Sequence, residues 1–333
     1  MEQLNGHSDS QVQDEKLIPY VERFRPDTLE DIISHEEIID TIKNFIERKQ
    51  LPHLLLHGPP GTGKTSCILA IAKQLYGKNY RNMILELNAS DDRGINVVRD
   101  EIKSFWSTMT IYKSGVKMVI LDEWDAITSA AQFALRRIIE MYTKNAKFWL
   151  ICNNVAKIKP PIQSRWTKFR FSPLKPSSIK ARLTEICNQE SINIEEDGID
   201  TIIKLADGDM RKVFNILESA QLAHSSKIEP ADIYASTGRP NNTQIMQVFK
   251  SLCKNNFKEN YDIISKLKKE NGFTLDDIVN ELHVKIVKSK FEKQHKIKVI
   301  KRLAEVQERI AYGCSEYMQI ASLIAIFVEI RSE

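Results

Sequence analysis

The sequence predicts an α/β fold: a five-stranded parallel sheet with helices on both faces, followed by parts that are entirely helical. Two observations carry this prediction. Five short apolar runs alternate with amphipathic helical segments between residues 17 and 173, which is the pattern of a parallel sheet buried on both faces. From residue 176 onward only helical periodicity is found. The predicted strands are residues 54–56, 83–87, 118–121, 148–152 and 169–171.

The length of 333 residues is enough for two or three domains. Residues 1–16 are polar and lack periodicity, which predicts a disordered tail. The α/β part is expected at 17–173, and a first helical domain at 174–237. Gly238-Arg239-Pro240 interrupts the helical pattern, so a second helical domain is expected at 238–333.

Composition and charge limit the classes of protein. The net charge is +4, and the chain from Arg239 onward carries 17 Lys and Arg against 12 Asp and Glu. This balance could serve contacts with nucleic acid, but a solvated helical surface is the favoured interpretation. Five widely spaced cysteines without C-x-x-C pairs fit neither a disulfide framework nor a zinc site, and they favour a reducing compartment. The polar N-terminus predicts no signal peptide. The apolar run 320–328 is far shorter than the roughly 20 residues that span a bilayer, so no membrane partner is expected.

One segment matches the phosphate-binding pattern G-x-x-x-x-G-K-[ST]. It lies between the predicted strand 54–56 and a predicted helix, which is the required context. The glycines permit backbone conformations that a Cβ would forbid, and they turn successive N–H groups toward an anion. Lys64 can reach β- and γ-phosphates, and the Thr65 hydroxyl can ligate Mg²⁺. The residues of the loop are Gly58, Pro59, Pro60, Gly61, Thr62, Gly63, Lys64 and Thr65.

Two further predicted strands end in polar side chains. Asp122 and Glu123 follow the apolar run 118–121. Asp122 is expected to hold Mg²⁺, directly or through water, and Glu123 to polarise an attacking water as a general base. Two acids after a strand are also common in a surface turn. Asn153 follows the strand 148–152, where its amide can position water against a γ-phosphate or simply end the strand.

Three basic features each have two interpretations. Arg165 precedes the last predicted strand, and a guanidinium that reaches a neighbouring subunit's γ-phosphate is worth roughly 10³–10⁵ in rate. Arg211 lies in the first turn of a predicted helix, where it can touch the γ-phosphate held by its own chain. A salt bridge is the alternative for both arginines. The predicted helix 96–105 carries Arg99 and Lys103 on one face, which suits either phosphodiester contacts or a solvated surface.

Together these segments resemble the AAA+ ATPases, and within them the small subunits of the replication factor C clamp loader. The resemblance extends from about Leu17 to the C-terminus, and its motifs are specific as a set. Ile33-Ser34-His35 and Glu195-Glu196-Asp197-Gly198 resemble one type of small subunit in particular. The segments that carry the resemblance are Tyr20-Val21-Glu22-Arg23-Phe24-Arg25-Pro26, the phosphate loop, 88–94, 121–125, Ala134-Leu135-Arg136-Arg137, Ser164-Arg165 and 208–211.

The resemblance implies that the chain binds ATP with Mg²⁺. It implies that Val21 and Arg25 lie at the adenine and ribose side of the nucleotide. It extends the phosphate-wrapping loop to Ser66. It implies that Asp122 and Glu123 act in Mg²⁺ binding and in hydrolysis, with Thr65 as the second metal ligand.

The resemblance also implies sensing residues and contacts outside the chain. Asn153 is the sensor after the fourth strand, Arg211 is the sensor in a helical lid, and Arg165 is the finger that reaches the adjacent subunit. Helices that start near Arg93 and Asn96 face DNA inside the assembly.

The implied partners are four other clamp-loader subunits, a sliding clamp and primer–template DNA. The family forms a five-membered spiral that opens the clamp and loads it at primer–template junctions in the nucleus. Residues 17–173 are then the AAA+ P-loop core and 174–237 the helical lid. Residues 238–333 are the collar that holds the ring together.

Two residues depart from the family pattern. Trp124 stands beside Glu123 where members usually have a small residue, and Trp166 stands beside Arg165 where they usually have Cys. A bulky ring beside the general base keeps an alternative open: a structural subunit that binds ATP with little turnover and supplies Arg165 and the collar. A third possibility is a different AAA+ motor, such as a branch-migration helicase or an origin-recognition protein. Residues 243–333 lack the strand pair that the winged-helix domain of origin-binding relatives needs.

Overall fold

The structure is a computed structural model that describes residues 18–48, 50–89, 100–105, 117–142, 146–224 and 227–332. Contacts divide the chain into two compact units, one that ends at Lys227 and one that begins at Ile228. The predicted tail at 1–16 lies outside the described residues, as do Arg93, Asn96 and Arg99.

The first unit is built on one parallel sheet. Its strands are β1 (Leu54–His57), β2 (Ile84–Asn88), β3 (Lys117–Asp122), β4 (Ala146–Cys152) and β5 (Thr167–Arg170). Their order is β2-β3-β4-β1-β5, and every neighbouring pair is parallel. The predicted fold class is therefore confirmed. Strand β1 lies between β4 and β5, so the loop that follows it has a neighbouring strand on each side.

Helices cover the two faces of this sheet and continue beyond it. They are α1 (Tyr20–Arg23), α2 (Glu36–Glu47), α3 (Lys64–Tyr76), α4 (Tyr80–Met83), α5 (Ser129–Tyr142), α6 (Pro160–Gln163), α7 (Pro176–Gln189), α8 (Glu196–Ala206) and α9 (Met210–Ala223). Residues 100–105 are also helical. None of the helices that the structure describes is both long enough and apolar enough to cross a membrane.

The core has two layers, one on each face of the sheet. Leu54 and Leu56 of β1 are buried in a cluster with Ile68 of α3. Leu55 is buried in a second cluster with Leu135 of α5. Because successive side chains of a strand point to opposite faces, β1 is covered on both sides, as a continuous apolar run predicts.

Helices α7, α8 and α9 follow the sheet and are called the lid below. The helical periodicity of the sequence predicts helices at 179–190, near 197–206 and at 209–223. All three are confirmed, with small shifts at their ends. Helix α7 starts earlier than its apolar periodicity indicated because Pro176 occupies its first turn, where a missing N–H costs nothing. Helix α9 starts after Asp209, whose carboxylate caps its N-terminus.

In the second unit the structure describes only helices between Pro230 and Ser332. They are α10 (Pro230–Thr237), α11 (Asn242–Lys254), α12 (Phe257–Asn271), α13 (Leu275–Lys288), α14 (Lys293–Ala311) and α15 (Glu316–Ser332). Ile300, Leu303, Val306 and Ile310 recur at helical spacing, which predicts an apolar stripe on one helix face. Leu303 and Val306 are buried in the core of this unit, and Ile300 and Ile310 pack against it, which confirms the stripe. Helix α10 falls in this unit, so the contacts divide the chain before the predicted boundary at 238, which stays a prediction.

Candidate active site

A cleft of about 970 Å³, partly open to solvent, lies at the carboxyl ends of the central strands and under the lid. Most of the predicted site residues line it. They are Val21, Arg25, Pro60, Gly61, Thr62, Gly63, Lys64, Thr65, Ser66, Asp122, Glu123, Asn153 and Arg211. Of the other predicted residues, Gly58 and Pro59 belong to the base of the loop, whereas Arg165 and Lys103 do not line the cleft.

The glycines of the loop are required by both conformation and space. Gly61 and Gly63 have φ values of +67° and +89°, in the left-handed region that side chains avoid. A Cβ on Gly58 would lie 2.0 Å from the carbonyl oxygen of Phe171, and a Cβ on Gly61 would lie 1.6 Å from Oδ1 of Asp209. The loop is therefore pressed between the last strand and the lid.

Lys64 begins α3 and is only 6% exposed. Its Nζ donates hydrogen bonds to the carbonyl oxygens of Gly58 (2.8 Å) and Pro59 (2.8 Å) and to Oδ1 of Asn153 (3.1 Å). Burial lowers the pKa of the Lys64 ammonium, Asp122 opposes this shift, and the positive charge of Arg211 adds to it. An anion bound beside Nζ would offset the cost of burying this charge.

The metal-ligating oxygens predicted from the sequence meet in the cleft. The Thr65 hydroxyl donates to Oδ2 of Asp122 at 2.8 Å. Oδ1 of Asp122 accepts a 2.7 Å hydrogen bond from the backbone N–H of Glu123. A hydroxyl and a carboxylate are hard oxygen ligands, so this pair fits Mg²⁺, which keeps several water or phosphate ligands of its own.

The two tryptophans that depart from the family pattern point into the core. Trp124 and Trp166 are 1% and 7% exposed, and both belong to the cluster on the α5 face of the sheet. Glu123 has a left-handed backbone, with φ +53°. It lines the cleft while the ring of Trp124 does not. The bulk at position 124 is therefore on the side of the chain away from the nucleotide loop.

Asp125 is a functional residue that reasoning from the sequence missed. Its two carboxylate oxygens accept hydrogen bonds from the backbone N–H groups of Asn153 (3.2 Å) and Asn154 (3.1 Å). This contact joins the ends of β3 and β4 and fixes the backbone from which the Asn153 amide reaches Lys64. Asp125 belongs to the segment 121–125 that carries the resemblance, but no sequence spacing identifies its hydrogen-bond partner Asn153, which lies 28 residues away.

The lid brings Arg211 to the cleft. Oδ1 of Asp209 accepts from the N–H groups of Arg211 (3.0 Å) and Lys212 (3.4 Å), which fixes the first turn of α9. The Met210 N–H donates to the carbonyl oxygen of Gly61 at 3.1 Å. A backbone hydrogen bond therefore ties the lid directly to the phosphate loop.

Part of the cleft lining is apolar. Val21 and Arg25 also line the cleft, and Arg25 pairs with Glu22 at 3.1 Å. The sequence analysis missed the apolar lining residues because no motif distinguishes them from ordinary core residues. They are Phe24, Pro26, Ile32, Ile33, Leu174, Met210 and Phe214. Apolar walls with a few polar groups suit a purine base and its ribose.

Two predicted residues lie away from the cleft. The Arg165 side chain is 54% exposed and pairs with Glu140 of α5 at 2.5 Å. This salt bridge is the alternative that the sequence left open. Lys103 is exposed on the helical segment 100–105.

The sheet, the glycine loop, the two acids and the lid define an ATPase of the AAA+ class. Residues 54–174 match the family model "ATPase family associated with various cellular activities (AAA)", and 176–228 match "RFC1-like, AAA+ ATPase lid domain". Residues 240–326 match "Replication factor C C-terminal domain".

The chain is 48% identical to replication factor C subunit 5 of Mus musculus, across 93% of this chain and 91% of that protein. It is 41% identical to replication factor C subunit 3 of Saccharomyces cerevisiae, across 92% of each. The chain therefore belongs to the replication factor C subunit family, and the predicted resemblance is confirmed. The Thermotoga maritima RuvB Holliday junction branch migration motor shares the fold, with a TM-score of 0.53, 15% identity, and coverage of 78% of this chain and 91% of that one.

Proposed function

We propose that the chain is an ATP-binding subunit of a multi-subunit clamp loader. ATP binding and hydrolysis in the described cleft drive the opening of a sliding clamp and its loading at primer–template junctions during DNA replication and repair. The observation that carries this proposal is the convergence of Lys64, the Thr65–Asp122 pair, Asn153 and Arg211 in one cleft between sheet and lid.

In the cleft, the loop N–H groups and Lys64 bind the phosphates of ATP. Thr65 and Asp122 hold Mg²⁺, which supplies charge neutralisation at the β- and γ-phosphates when it is bound. Glu123 orients and polarises the attacking water. Asn153 and Arg211 contact the γ-phosphate from the sheet and from the lid.

Arg165 lies outside its own cleft, on an exposed surface. We assign it to the cleft of an adjacent subunit, where its guanidinium stabilises the transition state. The partners are four other clamp-loader subunits, a clamp and primed DNA. Lys103, together with Arg93, Asn96 and Arg99, faces the DNA backbone, and the nucleus is the place of action. Because such contacts release counterions, DNA affinity falls as salt rises.

A second candidate function is a structural subunit that binds ATP and hardly hydrolyses it. Trp124 is the residue that raises this alternative. Its burial on the core side of β3 leaves Glu123 at the cleft and favours turnover.

The test compares the wild-type chain with Glu123→Gln, each assembled with its partner subunits, clamp and primed DNA. ATP affinity and single-turnover hydrolysis are measured separately. We expect unchanged affinity and hydrolysis slowed by about 10²–10⁴-fold at this site, the usual contribution of a general base. Total turnover that does not change would assign the structural role, and a wild-type chain that binds no ATP would reject both candidates.

A further inference from the structure

Residues 18–26, called the strap below, are tied to the lid through Arg23. The Arg23 guanidinium forms an ion pair with Glu190, directly after α7, and the two side chains are only 18% and 21% exposed. The guanidinium carbon also lies 5.1 Å from the ring centroid of Tyr20 and 4.9 Å from that of Phe24. Arg23 therefore combines a half-buried charge pair with two cation–π contacts.

The two aromatic residues continue the contact to a second lid helix. The Tyr20 hydroxyl donates to Oε1 of Gln221, and its backbone N–H donates to Oε1 of Glu218 at 3.4 Å. The ring of Phe24 lies 6.0 Å from that of Phe214. The strap is thus held both at the end of α7 and along α9.

Other residues of the strap line the cleft. Val21, Glu22 and Arg25 line the cleft together with Phe24, whereas Arg23 does not. Adjacent residues of one short segment therefore have separate tasks. Arg23 faces the lid, and its neighbours face the space that the base and ribose would occupy.

The strap has little structure of its own to keep this arrangement. Helix α1 has four residues, and Pro19 at its N-cap makes no side-chain hydrogen bond. A single helical turn is unstable in isolation, because fixing its backbone dihedrals costs more free energy than its few hydrogen bonds contribute. Its conformation therefore depends on tertiary contacts, and the Arg23–Glu190 ion pair is one of them.

We propose that Arg23 is a positioning residue for nucleotide affinity: its pair with Glu190 latches the strap to the lid and keeps the base side of the cleft assembled. The proposal rests on the proposed function, because it assumes that ATP occupies the cleft. By linkage, the bound nucleotide strengthens the latch as much as the latch strengthens nucleotide binding. A pair with a purely structural role would change the stability of the nucleotide-free chain and leave ATP affinity alone.

The experiment measures the ATP dissociation constant of the full-length chain with a fluorescent ATP analogue, and the rise in melting temperature on adding ATP. The variants are Arg23→Met, Glu190→Gln and the charge swap Arg23→Glu with Glu190→Arg. Lys180→Met is the matched control, since it removes two other lid ion pairs, with Glu196 and with Asp200, that do not involve the strap. We expect the dissociation constant to rise about 5- to 50-fold in both single variants, the usual range of coupling between sites.

The control is expected to bind as the wild type does, and the swap to recover most of the lost affinity. In the assembled complex at saturating ATP, turnover at this site should stay within about twofold of wild type. The variants lose contacts that favour bound ATP and the transition state equally, so the barrier between the two is unchanged.

The outcomes separate the two proposals. A wild-type chain that binds no nucleotide refutes the proposed function. Wild-type binding together with wild-type affinity in both single variants refutes the latch alone. If Arg23→Met does not fold, Glu190→Gln decides, because it keeps the shape of the side chain and removes only its charge. An unchanged ATP dissociation constant in Glu190→Gln overturns the proposal. An increase of the dissociation constant in Glu190→Gln that Lys180→Met does not show supports it.

Discussion

Because Gly61 has no side chain, the phosphate loop can approach the lid closely enough for a backbone hydrogen bond. Its carbonyl oxygen accepts the Met210 N–H at 3.1 Å, and a Cβ at this position would overlap the carboxylate that caps α9. Its φ of +67° adds a conformational reason for glycine. One residue therefore serves the anion site and the attachment of the lid at once.

Gly61→Ala is expected to lower the melting temperature and to abolish measurable ATP binding, because either the loop or the cap of α9 must move. Gly77→Ala is the matched control. Gly77 also has a positive φ, +53°, but a Cβ there meets nothing within 4 Å. Gly77 has φ +53° and ψ −134°, a conformation that other residues rarely adopt, so the control should cost about 1–3 kcal/mol of backbone strain and leave ATP affinity unchanged. Thermal unfolding and ATP titration of both variants check this. Similar ATP affinity in the two would show that the overlap at Gly61 is relieved elsewhere.

Two half-buried histidines make stability depend on pH. Burial lowers the pKa of His35 and of His53 from the ordinary value of 6.5. As pH falls below 6.5 the unfolded chain takes up protons before the folded chain does, so the free energy of unfolding decreases, by up to about 1.4 kcal/mol per pH unit for each histidine. His35→Asn should flatten this dependence, since Asn tolerates the left-handed φ of +65° and does not titrate. Denaturant unfolding between pH 7.5 and 5 measures the slope. An equal slope in the variant would contradict the assignment.

At the residue scale, the sequence predicted which side chains meet in the cleft better than it predicted where neighbouring side chains point. The phosphate loop, Asp122 and Asn153 were predicted because their motifs are local, and the cleft brings them together. The direction of Trp124 was not predictable, because it depends on the left-handed turn at Glu123.

Helix α9 shows how an element carries a site residue to its place. Its start was predictable because Asp209 is a good N-cap, and the structure has the cap. Strand ends were less predictable. Apolar runs gave 169–171 for the last strand, whereas β5 covers Thr167–Arg170 because its length is set by pairing with β1. The lid's contact with the strap was not predicted at all, since it depends on pairs such as Arg23 and Glu190 that are distant in sequence.

Asp209→Ala is expected to destabilise the chain by about 1 kcal/mol, the usual cost of losing an N-cap, and to weaken ATP binding because Arg211 loses its fixed turn. Thr274→Ala is the control. Thr274 caps α13 in the other unit by accepting from the Asp277 N–H at 3.2 Å. It should show a comparable loss of stability with unchanged ATP affinity. Melting temperature and ATP titration are the measurements. Equal ATP affinity in Asp209→Ala and wild type would show that the N-cap of α9 does not influence the nucleotide site.

At the scale of the whole molecule, the cleft contains the predicted nucleotide contacts of the chain's own site except Gly58 and Pro59, and it lacks Arg165, the arginine assigned to hydrolysis. Arg165 is exposed and paired with Glu140, which also pairs with Arg136 at 3.0 Å. Removing the Arg165 guanidinium therefore leaves Glu140 with a partner and should disturb the fold little. Substitution of Arg165 therefore tests whether hydrolysis in one chain depends on a residue of its neighbour, with little effect on folding.

Arg165→Ala is expected to slow ATP hydrolysis in the adjacent subunit of the assembled complex by roughly 10³-fold or more, because a positive charge is lost from its transition state. ATP affinity of the variant's own cleft should not change. The measurement is single-turnover hydrolysis in complexes where only that adjacent subunit keeps its general base. Arg182→Ala serves as the control, since it removes a lid arginine that pairs with Glu185. Arg165→Lys should restore only part of the rate, because a single ammonium does not reproduce a guanidinium's planar set of donors. Wild-type hydrolysis in the neighbour of Arg165→Ala, or full activity of the isolated chain as a monomer, would exclude a shared site.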